Sequence, residues 1–109
     1  MIEAVYHRKF NRVTVKGHAG SGPKGHDLIC AGVSALVGTL AANVQWLSDA
    51  YKGDMRDMCI DTKEGTAEIS VKSTRKYKAV VELIFSTVCM GFALLAERYP
   101  ENITYEERE

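Results

Sequence analysis

The sequence predicts one α/β (α+β) domain over residues 1–109, with two helices packed on one face of a mostly antiparallel sheet. Three observations carry that expectation. Two short stretches near the start alternate apolar and polar residues, and a second such pair flanks the turn "TKEG". Two longer segments repeat apolar residues every three or four positions, the period of a helix packed on one side. The order that follows is ββαββα, with a further strand available at the end. With 109 residues and 46% apolar content, the chain can bury one modest core and is too apolar for disorder.

The first strand is predicted at Ile2–His7 and the second at "RVTVK", Arg12–Lys16, where Val13 and Val15 share a side. Arg8–Asn11 is short enough to make the pair a hairpin. Gly17–His26 then holds Gly17, Gly20, Gly22 and Gly25 around Pro23, which reads as a flexible loop. From Leu28 the period becomes helical. Ile29, Val33, Leu36, Val37, Leu40, Val44 and Leu47 form an apolar stripe, and Ala31, Ala35, Gly38 and Ala42 form a face of small residues open to close approach. Asp27 is the expected N-cap, and the helix should end near Ser48–Tyr51, before Gly53.

Met55–Asp61 and Thr66–Lys72 make the second predicted hairpin around Thr62–Gly65. A second helix is expected from Tyr77 to Arg98, with Val80, Leu83, Ile84, Thr87, Val88 and Leu95 turned to the core and Pro100 beyond its end. Asn102–Glu107 can add an edge strand through Ile103 and Tyr105, with a frayed charged end as the alternative. The order of strands in the sheet does not follow from the sequence.

Fourteen basic and fourteen acidic residues balance, so no charge excess points to nucleic acid or an anionic membrane. The basic run "KSTRKYK", Lys72–Lys78, reads as a solvated turn, and direct nucleic-acid binding is not expected. The apolar segments near 28–47 and 80–96 are interrupted by small or polar residues and read as packed helices, so no membrane partner is expected either. Cys30, Cys59 and Cys89 are odd in number and widely spaced, which suits a reducing, cytoplasmic setting better than a disulfide framework. Cys89 and Cys59 read as structural thiols, and Trp46, Met55 and Met58 as core or interface residues.

Cys30 differs from the other two. Behind a cap at Asp27 it falls in the first helical turn, close to unpaired amides and the positive end of the helix dipole, which favour thiolate. It also lies at the border of the apolar stripe, where sulfur is packed yet reachable. His18 ends the second strand just after Gly17, and the glycine-rich chain is long enough to bring its imidazole to the sulfur. His26 competes for that role but is assigned a supporting one. Asp27 is either an orienting carboxylate or the cap, so a His–Cys pair needs fewer assumptions than a triad. A metal site is disfavoured because His18, His26 and Cys30 lack paired CxxC or HxxxH spacing, and the glycine loop lacks the phosphate-binding patterns. No cofactor is expected.

The segment "GHAGSGPKGHDLICAGVSAL" resembles the signature of the ribosomal-processing cysteine protease family. The GHA element is Gly17-His18-Ala19, and the HD-x-x-CAG-x-SA helix start is His26-Asp27-Leu28-Ile29-Cys30-Ala31-Gly32-Val33-Ser34-Ala35. The resemblance implies a cysteine endopeptidase with Cys30 as nucleophile and His18 as general base and acid. Gly17, Ala19, Gly20, Gly22, Gly25, His26, Asp27 and Ser34 would support the site or the substrate. It further implies removal of the N-terminal extension of a large-subunit ribosomal protein, a homodimer, and a cytoplasmic enzyme with transient ribosome association. The competing reading is a noncatalytic ribosome-associated or assembly-binding module.

Overall fold

A computed structural model describes residues 1–18 and 25–109, with the side chains of residues 25–27 left undescribed. The elements are β1 (Ile2–His7), β2 (Arg12–Lys16), α1 (Gly25–Ala50), β3 (Met55–Lys63), β4 (Thr66–Ser73), α2 (Lys78–Arg98) and β5 (Ile103–Arg108). Short 3-10 turns at Arg8–Phe10 and Arg75–Tyr77 lead into β2 and α2. Asn11 closes the first turn in the left-handed conformation, φ 46°, which asparagine tolerates better than most residues.

The five strands lie in the order β3-β4-β2-β1-β5. Neighbours are antiparallel except β1 and β5, which run parallel with Ile2 beside Ile103. This pairing makes β2–α1–β3 and β4–α2–β5 crossovers between parallel strands. One passes over β4 and the other over β2 and β1 in the opposite direction, from strands that also point oppositely. A single crossover hand therefore puts both helices on the same face. The core confirms it: Ile2, Ala4, Tyr6, Val13, Val15, Ile69, Val71 and Ile103 from the strands are buried with residues of both helices. The intervening residues, Glu3, Thr14, Lys16 and Glu68 among them, turn to the helix-free face.

Helix α1 buries Ile29, Val33, Leu40, Val44 and Leu47, as its stripe predicts. Helix α2 departs from expectation. It buries Val81, Phe85, Val88, Cys89 and Phe92, whereas Val80, Leu83 and Thr87 face outward. Its sequence is apolar almost all round, so periodicity alone leaves the choice of face open, and the large Phe85 and Phe92 rings decide it. Phe85 stacks on Tyr6 with ring centroids 6.0 Å apart. Both helices are long and apolar enough to cross a membrane by length and composition, yet each presses one face against the sheet. Trp46 is exposed, Met58 is partly so, and Met55 is buried.

The outer strand β3 is irregular at one end. Its register with β4 shifts between Arg56 and Cys59, and Asp57 takes a left-handed φ of 53°. Lys72 faces Asp57 across the irregularity at 3.6 Å.

Candidate active site

Three pieces of chain, with Ile2 of β1, line an open cavity of about 500 Å³, within the usual range for ligand pockets. The end of β2 contributes Val15, Gly17 and His18. One stripe of α1 contributes Cys30, Val33, Ser34, Val37 and Gly38, spaced i, i+3, i+4, i+7, i+8 on a single helical face. The end of the β3–β4 hairpin supplies the third wall, from Thr62 to Ala67. The fold thus brings both sequence-predicted catalytic residues to one cavity, although twelve positions separate them in the chain. Both are exposed, so a reactant in the cavity can reach the thiol and the imidazole.

Glycines set the position of His18. Gly17 has φ +101°, and a Cβ there would collide with the Met1 carbonyl oxygen, so no other residue fits. The Gly17 N–H donates to the Gly65 carbonyl oxygen at 2.8 Å, and the Met1 nitrogen donates to the His18 carbonyl oxygen at 2.7 Å. The start of β1 and the turn between β3 and β4 therefore hold the histidine's backbone from two directions. Gly65, at φ +80°, also lies beside the imidazole itself.

Helix α1 begins at Gly25, so Asp27 is a helical residue and not the N-cap. The correction has a plain cause. An aspartate ahead of an apolar period looks like a cap, but the helix runs back through residues whose own helical preference is weak. Cys30 consequently lies in the second helical turn, one turn further from the free amides than the capped helix would place it. The unpaired N–H groups of such a helix belong to its first turn, ahead of Leu28. Ser34 follows Cys30 by one turn on the same cavity wall. Ala19, Gly20 and Gly22 lie outside the described residues, as do the side chains of His26 and Asp27.

The other thiols sit in surroundings that hold them protonated. Burial in the core pushes Cys89 up to about 12, against a neighbouring Tyr105 hydroxyl that works the other way. Cys59 is raised by burial and then by the adjacent Glu68 carboxylate, to which its thiol lies 3.7 Å away. Neither lines the cavity. Among the described residues no three histidine, cysteine or acidic side chains converge as metal ligands. The part of the site that sequence reasoning missed is the β3–β4 hairpin: "TKEG" signals a turn, and nothing in it signals what packs against the turn.

The chain is similar in sequence and in fold to known proteins. A family model described as cysteine protease Prp matches residues 1–104. The ribosomal processing cysteine protease Prp of Staphylococcus aureus is 33% identical over 96 residues, covering 87% of this chain and 84% of the relative. The crystal structure of SMU.848 from Streptococcus mutans superposes with a TM-score of 0.68 at 30% identity, covering 99% of this chain and 94% of the other. The Staphylococcus aureus protease Prp in complex with a substrate peptide gives 0.69 at 25% identity, covering 99% and 100%.

Proposed function

The chain belongs to the cysteine protease Prp family, and on that premise we propose that Cys30 and His18 cut an N-terminal extension from a large-subunit ribosomal protein. One observation carries the assignment of residues: the exposed thiol of Cys30 and the exposed imidazole of His18 line the same cavity. His18 takes the thiol proton as sulfur attacks the scissile carbonyl carbon. It then returns that proton to the departing amine as the C–N bond breaks and an acyl-enzyme forms. Water, deprotonated by the same imidazole, hydrolyses the thioester and frees Cys30. The developing oxyanion needs N–H donors, for which the free amides at the start of α1 are suited in charge and chemistry. Apolar Val33, Val37, Val15 and Ile2 line the rest of the cavity and suit apolar residues beside the scissile bond.

The substrate class follows from the relatives, whose names describe ribosomal processing. An exposed unpaired thiol suits a reducing compartment, so the cytoplasm is the proposed setting. A homodimer belongs to the same proposal. Val80, Leu83, Met90 and Leu94 form an apolar stripe along the outer face of α2, with Leu28 and Trp46 exposed on α1. A second copy would cover such a stripe in the manner of paired helices.

The test is cleavage of an N-terminally extended ribosomal protein, read by the masses of both products. Cys30→Ala and His18→Ala should fold normally and lose about 10³-fold or more of the cleavage rate. An alanine form of Cys30 that cleaves at the normal rate overturns the assignment.

A further inference from the structure

We propose that Gly65, in the turn between β3 and β4, is the residue that positions the His18 imidazole for catalysis, an inference that rests on the Cys30–His18 reading above. Two contacts made by one residue carry it. The Gly65 carbonyl oxygen accepts the Gly17 N–H at 2.8 Å, which fixes the backbone immediately before the histidine. The imidazole packs into the space a side chain at 65 would take: a Cβ there would lie 2.8 Å from Nε2 and 3.1 Å from Cε1. Real Cβ atoms do not approach that closely, so any side chain at 65 turns the ring away.

An exposed imidazole is otherwise free to sample its rotamers. The bare surface of Gly65 leaves room for the Nε2 end of the ring against the hairpin while the Gly17 hydrogen bond anchors its backbone. The same hairpin walls the cavity through Thr62, Glu64 and Thr66, so a peptide seated there bears on the element that holds the base.

Glycine differs from any other residue here on two separable grounds: the left-handed φ of +80°, and the missing Cβ that lets the ring keep its place. Asparagine tolerates the backbone but carries the Cβ, so Gly65→Asn isolates the ring contact, while Gly65→Ala adds backbone strain. Gly53→Ala is the control, because a Cβ at that turn glycine meets nothing within 4 Å. The experiment measures kcat, KM and thermal midpoint on a peptide spanning the cleavage region, with the pH profile of kcat/KM and the His18 ring-proton NMR shifts. Gly65→Asn should stay folded and keep KM within about threefold, while kcat falls at least about tenfold, part of what a well-placed general base contributes. The His18 ring shifts and the acidic limb of the pH profile, where a general base takes up its proton, should move with it. Wild-type kcat and unmoved ring shifts in folded Gly65→Asn overturn the proposal, as does a loss confined to Gly65→Ala. If Cys30→Ala also cleaves, the catalytic pair itself is wrong. If Cys30→Ala is dead and Gly65→Asn is normal, only the positioning role falls.

Discussion

Alkylation of the native protein separates its three thiols by environment. Only thiolate reacts with iodoacetamide, so below both values the rate scales with the thiolate fraction. Burial lifts Cys89 from 9.0 to about 12, three units, which lowers its thiolate fraction about a thousandfold near pH 8. Its side chain is also enclosed, at 2% exposure, so reagent must wait for the fold to open. Cys30 is exposed and lines the cavity, whereas Cys59 is half-buried beside Glu68. The expected order is Cys30 first, Cys59 slower, and Cys89 at least about a thousandfold slower than an ordinary thiol. The assay is a timed pulse at pH 8, quenched and digested, with each cysteine peptide quantified by mass spectrometry. In denaturant the three should react alike. Native labelling of Cys89 at the rate of Cys30 would refute the packing of α2 on the sheet and the claim that one thiol alone serves the cavity.

Three further outcomes follow. Phe85→Ala, which removes a fully buried ring stacked on Tyr6, should cost about 3–5 kcal/mol and lower the melting midpoint by more than about 12 °C in a thermal scan. Stability should decline above about pH 9, read as the urea midpoint against pH. Burial raises Cys89, Tyr105 and Tyr6 in the folded protein, so the unfolded chain loses those protons first. The contribution is complete below the ordinary thiol value and fades as pH climbs toward the folded one. Cys89→Ala should flatten that slope, and an unchanged midpoint from pH 8 to 10.5 would contradict it. Leu83→Asp with Met90→Asp should leave the fold intact and convert any dimer seen by sedimentation into monomer.

Much of the architecture was legible because local pattern and final environment coincide. Val13 and Val15 alternate along β2, and that side is the core side; the stripe from Ile29 to Leu47 likewise buries as spaced. Legibility failed where local signals were degenerate. Asp27 has the chemistry of a cap but sits inside α1, and α2 is apolar on more faces than it can bury, so the spacing points Leu83 to the core although it faces outward. The parallel pairing of β5 with β1 joins residues about a hundred positions apart, which no neighbour-to-neighbour pattern encodes. At the site, Cys30 and His18 stood out through a compound signature. Gly65 did not, because a turn glycine looks the same whether its surface faces water or carries an imidazole.

The slipped register and left-handed Asp57 on β3 have a bearing on how the molecule behaves in a crowded solution. An open border of unpaired backbone invites a second sheet to zip onto it and grow a polymer. On this side the kink breaks the straight run such zipping needs, and the carboxylate of Asp57 adds a charge to the gap. On the other side Glu106, Glu107 and Arg108 crowd β5 with charge. A protease of this family is thereby hindered from pairing with copies of itself along the rims of its sheet.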